Sequence, residues 1–297
     1  MKTFNQSATD YTTLSRDSST ANLALGKSLI NQYISKILVM RDWIFNRSSV
    51  NITTEANEQD YLLPYNCQKV KDIKAYSGEV YYYPKEVKTR KEWVILNRST
   101  VTSDIPSRYF VDDTLNKISP YPVPATPYTI TVYFQKQVDD FSADDYATGV
   151  ISVTAASPTI VTASPTTVAW TSAMVGRFIQ PTTDGYFYEI ENVASPTQLT
   201  VIKEIRGAIT YGAYNIAEMI PLPYGFTDLP LWFALATYYQ GKEGSINQAR
   251  EWERQAKEGL GDLLRRDAKS VGNVLEKSDL EEMEGLINPN DYPDSVS

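Results

Sequence analysis

The sequence predicts an α+β protein, in which a helical hairpin and an N-terminal helix pack with a small antiparallel sheet and an all-β module is inserted. Three observations lead to this prediction. Apolar residues recur at helical spacing near both ends of the chain, in residues 20–44 and 228–267. The long stretch between them is rich in β-branched, aromatic and turn-forming residues. Within that stretch the composition shifts after Asp140, and residues 142–214 are rich in Thr, Val, Ala and Ser.

The N-terminal part of the chain predicts one long helix after a polar leader. The first 17 residues are polar, and we expect them to be flexible. A helix is predicted over residues 20–44, with Ser19 or Thr20 as its N-cap. One broad apolar face supports it, formed by Leu25, Leu29, Ile30, Tyr33, Ile34, Ile37, Leu38 and Ile44.

The next part, from residue 49 to residue 138, predicts short strands separated by Pro, Asn, Asp and Gly. The predicted strands cover residues 50–54, 80–83, 93–96, 107–111 and 128–135. The last of these alternates apolar and polar residues most regularly, which is typical of a half-buried strand.

The stretch of residues 142–214 predicts a compact all-β module inserted into the larger domain. Its predicted strands include residues 150–154, 160–162 and 198–202, which are short and β-branched. The tetrapeptide Ala-Ser-Pro-Thr occurs three times, beginning at Ala156, Ala163 and Ala194. Each copy lies beside a predicted strand, so we interpret it as turn chemistry and not as a solenoid repeat.

The helical hairpin near the C-terminus is the clearest element of the sequence. Its first helix is predicted over residues 228–240, Gly-Lys-Glu-Gly at residues 241–244 ends it, and Ser245 is the expected N-cap of the second helix. The second helix combines a charged face with one apolar stripe. The stripe consists of Ile246, Ala249, Trp252, Ala256 and Leu260.

Beyond Asp267 the sequence becomes acidic, and Pro289 and Pro293 argue against a continuous helix. We expect an extended tail that becomes ordered only against a partner. The predicted domains are a flexible N-terminus (1–17), a discontinuous α+β core (18–141 and 215–267), the inserted β module (142–214) and the acidic tail (268–297).

Composition limits the chemistry that the chain can perform. At 297 residues and 42% hydrophobic content it can bury one core, or one core and a smaller second domain. It has no histidine and one cysteine, Cys67, which excludes internal disulfides, the usual zinc sites and Ser-His or Cys-His nucleophiles. We therefore expect no enzyme activity, no catalytic residues, no cofactor and no metal site.

Charge and hydropathy argue against nucleic acid and membranes as binding partners. A net charge of −8 makes the chain a poor candidate for holding a phosphate backbone tightly. The N-terminus lacks the apolar segment of a secretory signal, and no apolar run approaches the roughly 20 residues that span a bilayer. We expect a protein made in a cytoplasm, with no membrane contact.

Three local motifs invite a functional interpretation, and each has a simpler one. Gly26-Lys27-Ser28 lacks the earlier glycine of a phosphate loop, since Ala21 stands there, and it lies inside a predicted helix. The pairs Asp112-Asp113, Asp139-Asp140 and Asp144-Asp145 lack the spacing of a known calcium loop. Tyr81-Tyr82-Tyr83 cannot line one stacking surface, because successive strand residues point to opposite faces. We favour packing roles or solvated turns for all three.

Several segments, in this order, resemble those of the head-to-tail adaptor (connector) proteins of tailed bacteriophages, especially short-tailed ones. Residues 22–31 (NLALGKSLIN) resemble the first helix of that family, and Tyr61-Leu62-Leu63-Pro64 resembles the turn that opens its sheet. Residues 115–122 (LNKISPYP) and 129–133 are similar to its strand–proline–strand element. The start of the helical hairpin also resembles that of the family, at Leu222-Pro223, Asp228-Leu229 and residues 231–239. Residues 170–179 (WTSAMVGRFI) are similar to β modules of many phage structural proteins.

The resemblance implies a structural virion protein that forms a ring between portal and tail, with twelve subunits in this family. Such a ring is a homo-oligomer that extends the DNA channel and docks tail nozzle, hub or fibre proteins. Double-stranded DNA passes through its lumen without sequence-specific binding, and an acidic wall repels it during ejection. The implied location is the head–tail interface of the virion.

The resemblance also implies roles for two sets of residues. The hairpin would build the ring wall, and the candidate ring-interface residues are Trp252, Arg250, Glu253, Arg254 and Lys257. The acidic tail would anchor the ring on the phage portal protein, and the candidate portal-binding residues are Leu275, Leu280, Leu286, Ile287 and Tyr292. Trp252 can equally pack within its own subunit, and the charged residues can equally form a solvated face.

Two other classes of protein share part of this pattern. A tail-completion or tube component would share the β module but lack the paired terminal helices. A glycan-binding surface module would display tyrosines or tryptophans on one concave face.

Overall fold

The computed structural model of the chain describes residues 2–77, 80–98, 101–103, 105–165 and 168–271. These residues contain five α-helices and seventeen strands, which confirms the predicted mixed α+β fold. The helices are α1 (Phe4–Ser15), α2 (Thr20–Met40), α3 (Arg90–Leu96), α4 (Leu229–Gln240) and α5 (Ile246–Val271). The first strands are β1 (Arg47–Thr53), β2 (Tyr61–Leu62), β3 (Cys67–Ser77), β4 (Val80–Tyr82), β5 (Lys85–Glu86), β6 (Thr102–Ser103), β7 (Arg108–Asp112), β8 (Lys117–Tyr121), β9 (Val123–Pro124) and β10 (Thr129–Lys136). The later strands are β11 (Val150–Thr154), β12 (Ser157–Ser164), β13 (Phe178–Pro181), β14 (Tyr188–Ser195), β15 (Gln198–Val201), β16 (Ile209–Gly212) and β17 (Tyr214–Ala217).

The described residues divide into two compact units. One unit comprises the residues up to 37 and those from 140 onward, with α1, most of α2, β11–β17 and the hairpin of α4 and α5. The other comprises residues 38–139, with β1–β10 and α3. The boundaries of an independent β module at 142–214 stay a prediction.

A helix stands where the polar composition of the first 17 residues led us to expect a flexible segment. Thr3 begins α1 with a capping box: its Oγ1 accepts the Gln6 N–H at 3.1 Å, and the Gln6 side chain accepts the Thr3 N–H at 3.0 Å. Phe4, Ala8 and Tyr11 are fully buried along one side of the helix. Three well-spaced apolar residues and a cap therefore order a segment whose average composition is polar.

Helix α2 begins at Thr20 as predicted, with the Ser19 hydroxyl accepting the Asn22 N–H at 3.2 Å, but it ends at Met40 and not at residue 44. Beyond it the Trp43 N–H donates to the Arg41 carbonyl at 2.9 Å, and the Trp43 side chain is fully buried. A short 3₁₀ turn follows at Ile44–Asn46. Burial of the large indole therefore overrides the helical spacing at this end.

Helix α1 crosses α2 at a glycine. A Cβ placed on Gly26 would lie 2.3 Å and 2.8 Å from atoms of the Tyr11 ring, which is far below van der Waals contact. The motif Gly26-Lys27-Ser28 therefore owes its glycine to the close approach of Tyr11, and it lies inside a helix as predicted.

The hairpin of α4 and α5 is confirmed, with α5 four residues longer than predicted. The Ser245 carbonyl accepts the N–H groups of Gln248 and Ala249 at 3.0 and 3.1 Å, which starts α5 at the expected place. A Cβ on Gly259 of α5 would lie 2.9 Å from the Trp232 ring of α4, so the absence of a side chain allows the two helices to approach closely. Both helices contribute fully buried aliphatic residues, among them Leu229, Leu235, Leu260, Leu263 and Leu264.

The β module is a curled antiparallel sheet of seven strands in the order β16-β11-β12-β15-β14-β13-β17. Its two edge strands, β16 and β17, are separated in the chain only by Ala213, so the sheet must curl until its edges come together there. The predicted strands at residues 150–154, 160–162 and 198–202 all lie in this sheet. The third Ala-Ser-Pro-Thr copy supplies the turn between β14 and β15, at Pro196-Thr197. The prediction of a turn is wrong for most of the first copy, because the turn from β11 to β12 is Ala155-Ala156 and β12 already begins at Ser157.

The interior of the curled sheet is an apolar core around one tryptophan. Trp170 is 2% exposed, and its indole N–H donates to the Tyr214 hydroxyl at 3.0 Å. That hydroxyl donates onward to the Thr148 carbonyl at 2.6 Å. The polar atoms of both rings are therefore satisfied, and the core can bury them at little cost. Their apolar neighbours include Ile151, Val161, Ile179, Leu199 and Ile216.

The second unit is built on two four-stranded sheets, in the orders β1-β10-β3-β4 and β2-β8-β7-β5. The most regular predicted strand, residues 128–135, corresponds to β10 at the centre of the first sheet. Ile73, Ile118 and Ile130 are fully buried in their shared core. Tyr82 packs against this core while Tyr81 is exposed, as the alternation of a strand requires.

The prediction of a strand at residues 93–96 is wrong, because this segment lies in α3. The Thr89 side chain accepts the Glu92 N–H at 3.2 Å and caps the helix, a signal that the aromatic and β-branched composition obscured. Trp93 stacks on Phe110 of β7, with ring centroids 5.4 Å apart. A capped N-terminus and one aromatic anchor therefore decide in favour of the helix over the local strand preference.

The pH dependence of stability offers a test of the contacts of Asp60. Burial raises the pKa of this carboxyl, but hydrogen bonds from Lys117 and Ser119, both 2.5 Å long, outweigh it and leave the pKa below its usual range. A lowered pKa contributes stability above the unfolded-state value of about 3.9, and this contribution is lost as the pH falls through the folded-state pKa.

We expect Asp60→Asn to lower the free energy of unfolding at pH 7 by at most about 1 kcal/mol, because the side chain is 46% exposed and its charge is screened. Urea unfolding across the acid range should show the difference between wild type and variant shrinking as the pH falls. The exposed Asp113→Asn variant is the control. A difference that does not depend on pH would contradict this role of Asp60.

Candidate assembly surfaces

The candidate ring-interface residues all lie on α5, and several of its charged side chains pair along the helix. Arg254 contacts Glu251 and Glu258, each at 2.7 Å, and Lys257 contacts Glu253 at 2.9 Å. Contacts at these helical spacings add modestly to helix stability. In the isolated chain three of the predicted residues, Glu253, Arg254 and Lys257, therefore have partners within their own helix.

Arg254 forms a charged cluster with Glu251 and Glu258, in which hydrogen bonds shift pKa values. Hydrogen bonds from Arg254 and Gln255 lower the pKa of Glu251 to about 2, and the two glutamates raise the pKa of Arg254. Glu251 and Arg254 therefore stay ionised across the physiological range. The face therefore presents a fixed alternation of charge, which an adjoining surface can match.

The apolar stripe of α5 is only partly buried. Ala249, Ala256 and Leu260 are fully buried, as the sequence predicts. Ile246 is 52% exposed, Trp252 is half-buried and Arg250 is exposed. The N-terminal half of α5 therefore leaves part of its apolar stripe on the surface, beside charged residues.

The candidate portal-binding residues lie outside the described residues. They are Leu275, Leu280, Leu286, Ile287 and Tyr292, all beyond Val271.

The segment that leads into the β module is bound to α1 and α2 by polar side chains. Asn5 of α1 donates to the Ala143 carbonyl and to Asp145, both at 3.0 Å. Asn31 of α2 donates to the Phe141 carbonyl at 2.8 Å and accepts its N–H at 3.1 Å. The helices therefore fix the chain where it enters the module.

The segment in which the chain leaves the β module is hydrogen-bonded to the segment in which it enters. A Glu218 carboxylate oxygen accepts the N–H groups of Ser142 and Ala143 at 2.9 and 3.1 Å. Burial raises the pKa of Glu218, although these hydrogen bonds and nearby cations oppose the rise. Tyr146 pairs with Ile216 through both backbone hydrogen bonds, so the two connections form a short antiparallel neck.

The paired aspartates have structural partners at two of the three sites. Asp112 is buried and contacts Arg90 at 3.2 Å, and Asp144 contacts Lys27 at 3.2 Å. Asp139 and Asp140 are exposed. In the described part of the chain, no three His, Cys, Asp or Glu side chains come together as metal ligands would. No described helix is both long and apolar enough to cross a membrane.

The β module displays two exposed tyrosines that the sequence did not indicate. Tyr186 and Tyr211 are exposed there, and the Arg206 guanidinium lies 4.1 Å from the centroid of the Tyr186 ring. Tyr186 and Arg206 lie in different loops, and Tyr211 lies in the edge strand β16. A local pattern could not have found the contact between Tyr186 and Arg206, because it depends on how the strands pair.

Paired charges on α5 and exposed tyrosines on the β module are surface features typical of proteins that assemble with others. The family model described as SU10 adaptor protein matches residues 5–164, more than half of the chain. The chain belongs to the SU10 adaptor protein family and is a phage adaptor, a structural component of the virion. The match extends from α1 through the second unit to β12, and it confirms the resemblance to phage adaptor proteins. The short-tailed type stays a prediction. No curated protein matches the chain.

Proposed function

We propose that this adaptor forms a ring, of twelve subunits, that joins the portal to the tail of a short-tailed phage. Membership in the adaptor family carries the proposal. The ring extends the DNA channel at the head–tail interface, docks tail nozzle, hub or fibre proteins, and lets the genome pass during packaging and ejection. A net charge of −8 supports a lumen that repels DNA and binds no particular sequence. The subunits are made in the host cytoplasm before assembly.

Native mass measurement with negative-stain imaging tests the proposal, on the chain alone and after mixing with the portal protein of the same genome. Rings on the portal, even from a chain that is monomeric alone, would support it. A chain that stays monomeric in both samples would contradict it.

We place the ring contact on α5. Trp252 is half-buried in the single chain and lies on the apolar stripe of α5, and a partly exposed tryptophan is typical of interface anchors. In a ring, Glu253, Arg254 and Lys257 exchange some of their helical partners for groups on the next subunit, and the exposed Arg250 contacts that subunit as well. Such exchange fixes the orientation of neighbours more than it adds affinity.

Trp252→Ala is expected to weaken ring assembly by at least about 2 kcal/mol per contact, because tryptophan truncation at interfaces is among the costliest. Sedimentation of the portal-bound and free rings measures the effect. Gln248→Ala, an exposed change on the same helix, is the matched control. A normal ring formed by a folded Trp252→Ala chain would remove Trp252 from the interface.

We assign the acidic tail to the portal. Residues 272–297 carry Glu276, Asp279, Glu281, Glu282 and Glu284 between the apolar candidates Leu275, Leu280, Leu286, Ile287 and Tyr292. Alternating apolar and acidic residues suit a segment that folds on a partner groove with cationic edges.

Ending the chain after Val271 is expected to leave the folded part unchanged and to abolish portal joining. Thermal unfolding and imaging of chain–portal mixtures give the two measurements. Replacing only the five apolar candidates with Ser, at full length, separates the loss of these contacts from the loss of tail length. Normal portal joining by the shortened chain would exclude the tail from this role.

A further inference from the structure

Tyr211 has a backbone conformation that tyrosine rarely adopts. Its φ is 50°, in the left-handed region where a bulky side chain is disfavoured. The other described non-glycine residues with positive φ are Arg16, a helix cap, and Asn57 and Asn116, whose side chains tolerate the region. The Tyr211 ring is 68% exposed, so burial does not compensate for the strain. A strained residue displayed to solvent points to a role in binding.

Tyr211 lies at the end of the β module away from the neck. Ile216 pairs with Tyr146 at the neck, whereas the Tyr211 N–H donates to the Ser152 hydroxyl at 3.3 Å, further along β11. A Cβ on Gly212 would lie 3.7 Å from the Thr183 side chain, so Tyr211 borders the loop of residues 182–187. Tyr186 belongs to that loop and is 51% exposed.

Tyr186 and Arg206 are held in place before any partner binds. The buried Tyr188 links two loops, because its hydroxyl donates to Asp184 at 2.7 Å and accepts the Arg206 N–H at 3.1 Å. Asp184 also accepts the Tyr186 N–H at 3.0 Å. The Tyr186 ring and the Arg206 guanidinium, 4.1 Å apart, therefore stay together. A pre-formed surface loses less entropy when it binds.

The chemistry of Arg206 indicates the kind of partner. A guanidinium that stacks by its face keeps its in-plane N–H groups free to bind a carboxylate with two hydrogen bonds. Within the described ranges no carboxylate of this chain lies at ion-pair distance from Arg206. Tyr and Arg are also the residues that most often anchor protein interfaces.

We propose that Tyr186, Arg206 and Tyr211 form a docking surface for another protein of the virion, one that presents a carboxylate beside apolar side chains. This inference rests on the proposed function, in which the ring docks tail proteins, and it names the residues that contact them. The distal position gives that partner access, since the neck lies at the other end of β17.

Tyr211→Gly in the full-length chain tests the docking surface. We expect the unfolding temperature to stay equal or rise, because glycine adopts this φ without strain. Portal joining should be unchanged, while attachment of tails to the portal-bound ring should fall at least about tenfold. Arg206→Lys should also weaken attachment, since it keeps the charge and loses the planar fork. Tyr224→Ala, at a 75% exposed tyrosine outside the module, is the matched control.

Photo-crosslinking from benzoylphenylalanine at position 211 in assembled particles identifies the partner. Crosslinks to a different virion protein would support the proposal. Crosslinks only to a second copy of this chain, unchanged tail attachment by Tyr211→Gly, or a clear fall in its unfolding temperature would overturn it. Failure of the wild-type chain to join the portal would instead contradict the proposed function, so the two failures are distinguishable.

Discussion

Replacing Trp170 with Ala is expected to lower the free energy of unfolding of the β module by about 3–5 kcal/mol. The side chain is 2% exposed at the centre of the curled sheet and stacks edge-on against Tyr214, with ring centroids 5.8 Å apart. Its loss leaves a large cavity and removes the indole N–H that donates a hydrogen bond to the Tyr214 hydroxyl. Urea unfolding monitored by hydrogen exchange would measure the effect strand by strand.

The same experiment tests whether the β module folds independently. If it does, amides of β11–β15 lose protection in Trp170→Ala while those of α4 and α5 keep it. Simultaneous loss throughout these elements would show that the module is not an independent insert. Tyr214→Phe is the matched control, because it removes one hydroxyl, keeps the ring and should cost about 1–3 kcal/mol. A change below about 1 kcal/mol in Trp170→Ala would contradict its place in the core.

Gly26→Ala is expected to lower the free energy of unfolding by about 1–3 kcal/mol. In an exposed helix the same change raises stability by up to about 1 kcal/mol, since glycine is a poor helix former. Here the added methyl would lie 2.3 Å from the Tyr11 ring, which is fully buried and cannot move aside without losing its own packing. The unfavourable contact therefore outweighs the gain in helix propensity.

Gly261→Ala gives a control of opposite sign for this prediction. A Cβ there meets only the end of the Arg265 side chain, at 4.0 Å, so the substitution should raise stability by up to about 1 kcal/mol. Thermal unfolding of the two variants compares them directly. If Gly26→Ala raised stability as well, that result would show that Tyr11 does not pack on α2. The N-terminal residues would then be flexible, as their composition alone suggests.

Sequence reasoning succeeded where a regular pattern extends over many residues. The alternation of residues 128–135 identified β10, and the three-and-four spacing identified α5, because burial of one face imposes these periods on long segments. It failed at residues 93–96 and in the first 17 residues, where a Thr side chain caps a short helix. A cap depends on one side chain at one position, whereas a periodic face involves many positions and is easier to recognise in a sequence.

Of the candidate surfaces, one was identified from the sequence and one was missed. The sequence identified the charged face of α5, because its residues are neighbours on one helix. It missed the contact between Tyr186 and Arg206 and the exposure of Tyr211 on the edge strand β16. The proximity of Tyr186 and Arg206 depends on strand order, which no local spacing encodes.

The sequence by itself determined the mixed fold class, the long terminal helices, the central strand β10 and the adaptor family, because each is expressed in local periodicity or in an ordered set of segments. Only the tertiary structure decided that the N-terminal residues fold onto Gly26, that the sheet of the module curls at Ala213 and that Arg206 stacks on Tyr186 of another loop. These features arise from contacts between residues far apart in the chain. Such contacts depend on how whole elements pack, and a short stretch of sequence does not record them.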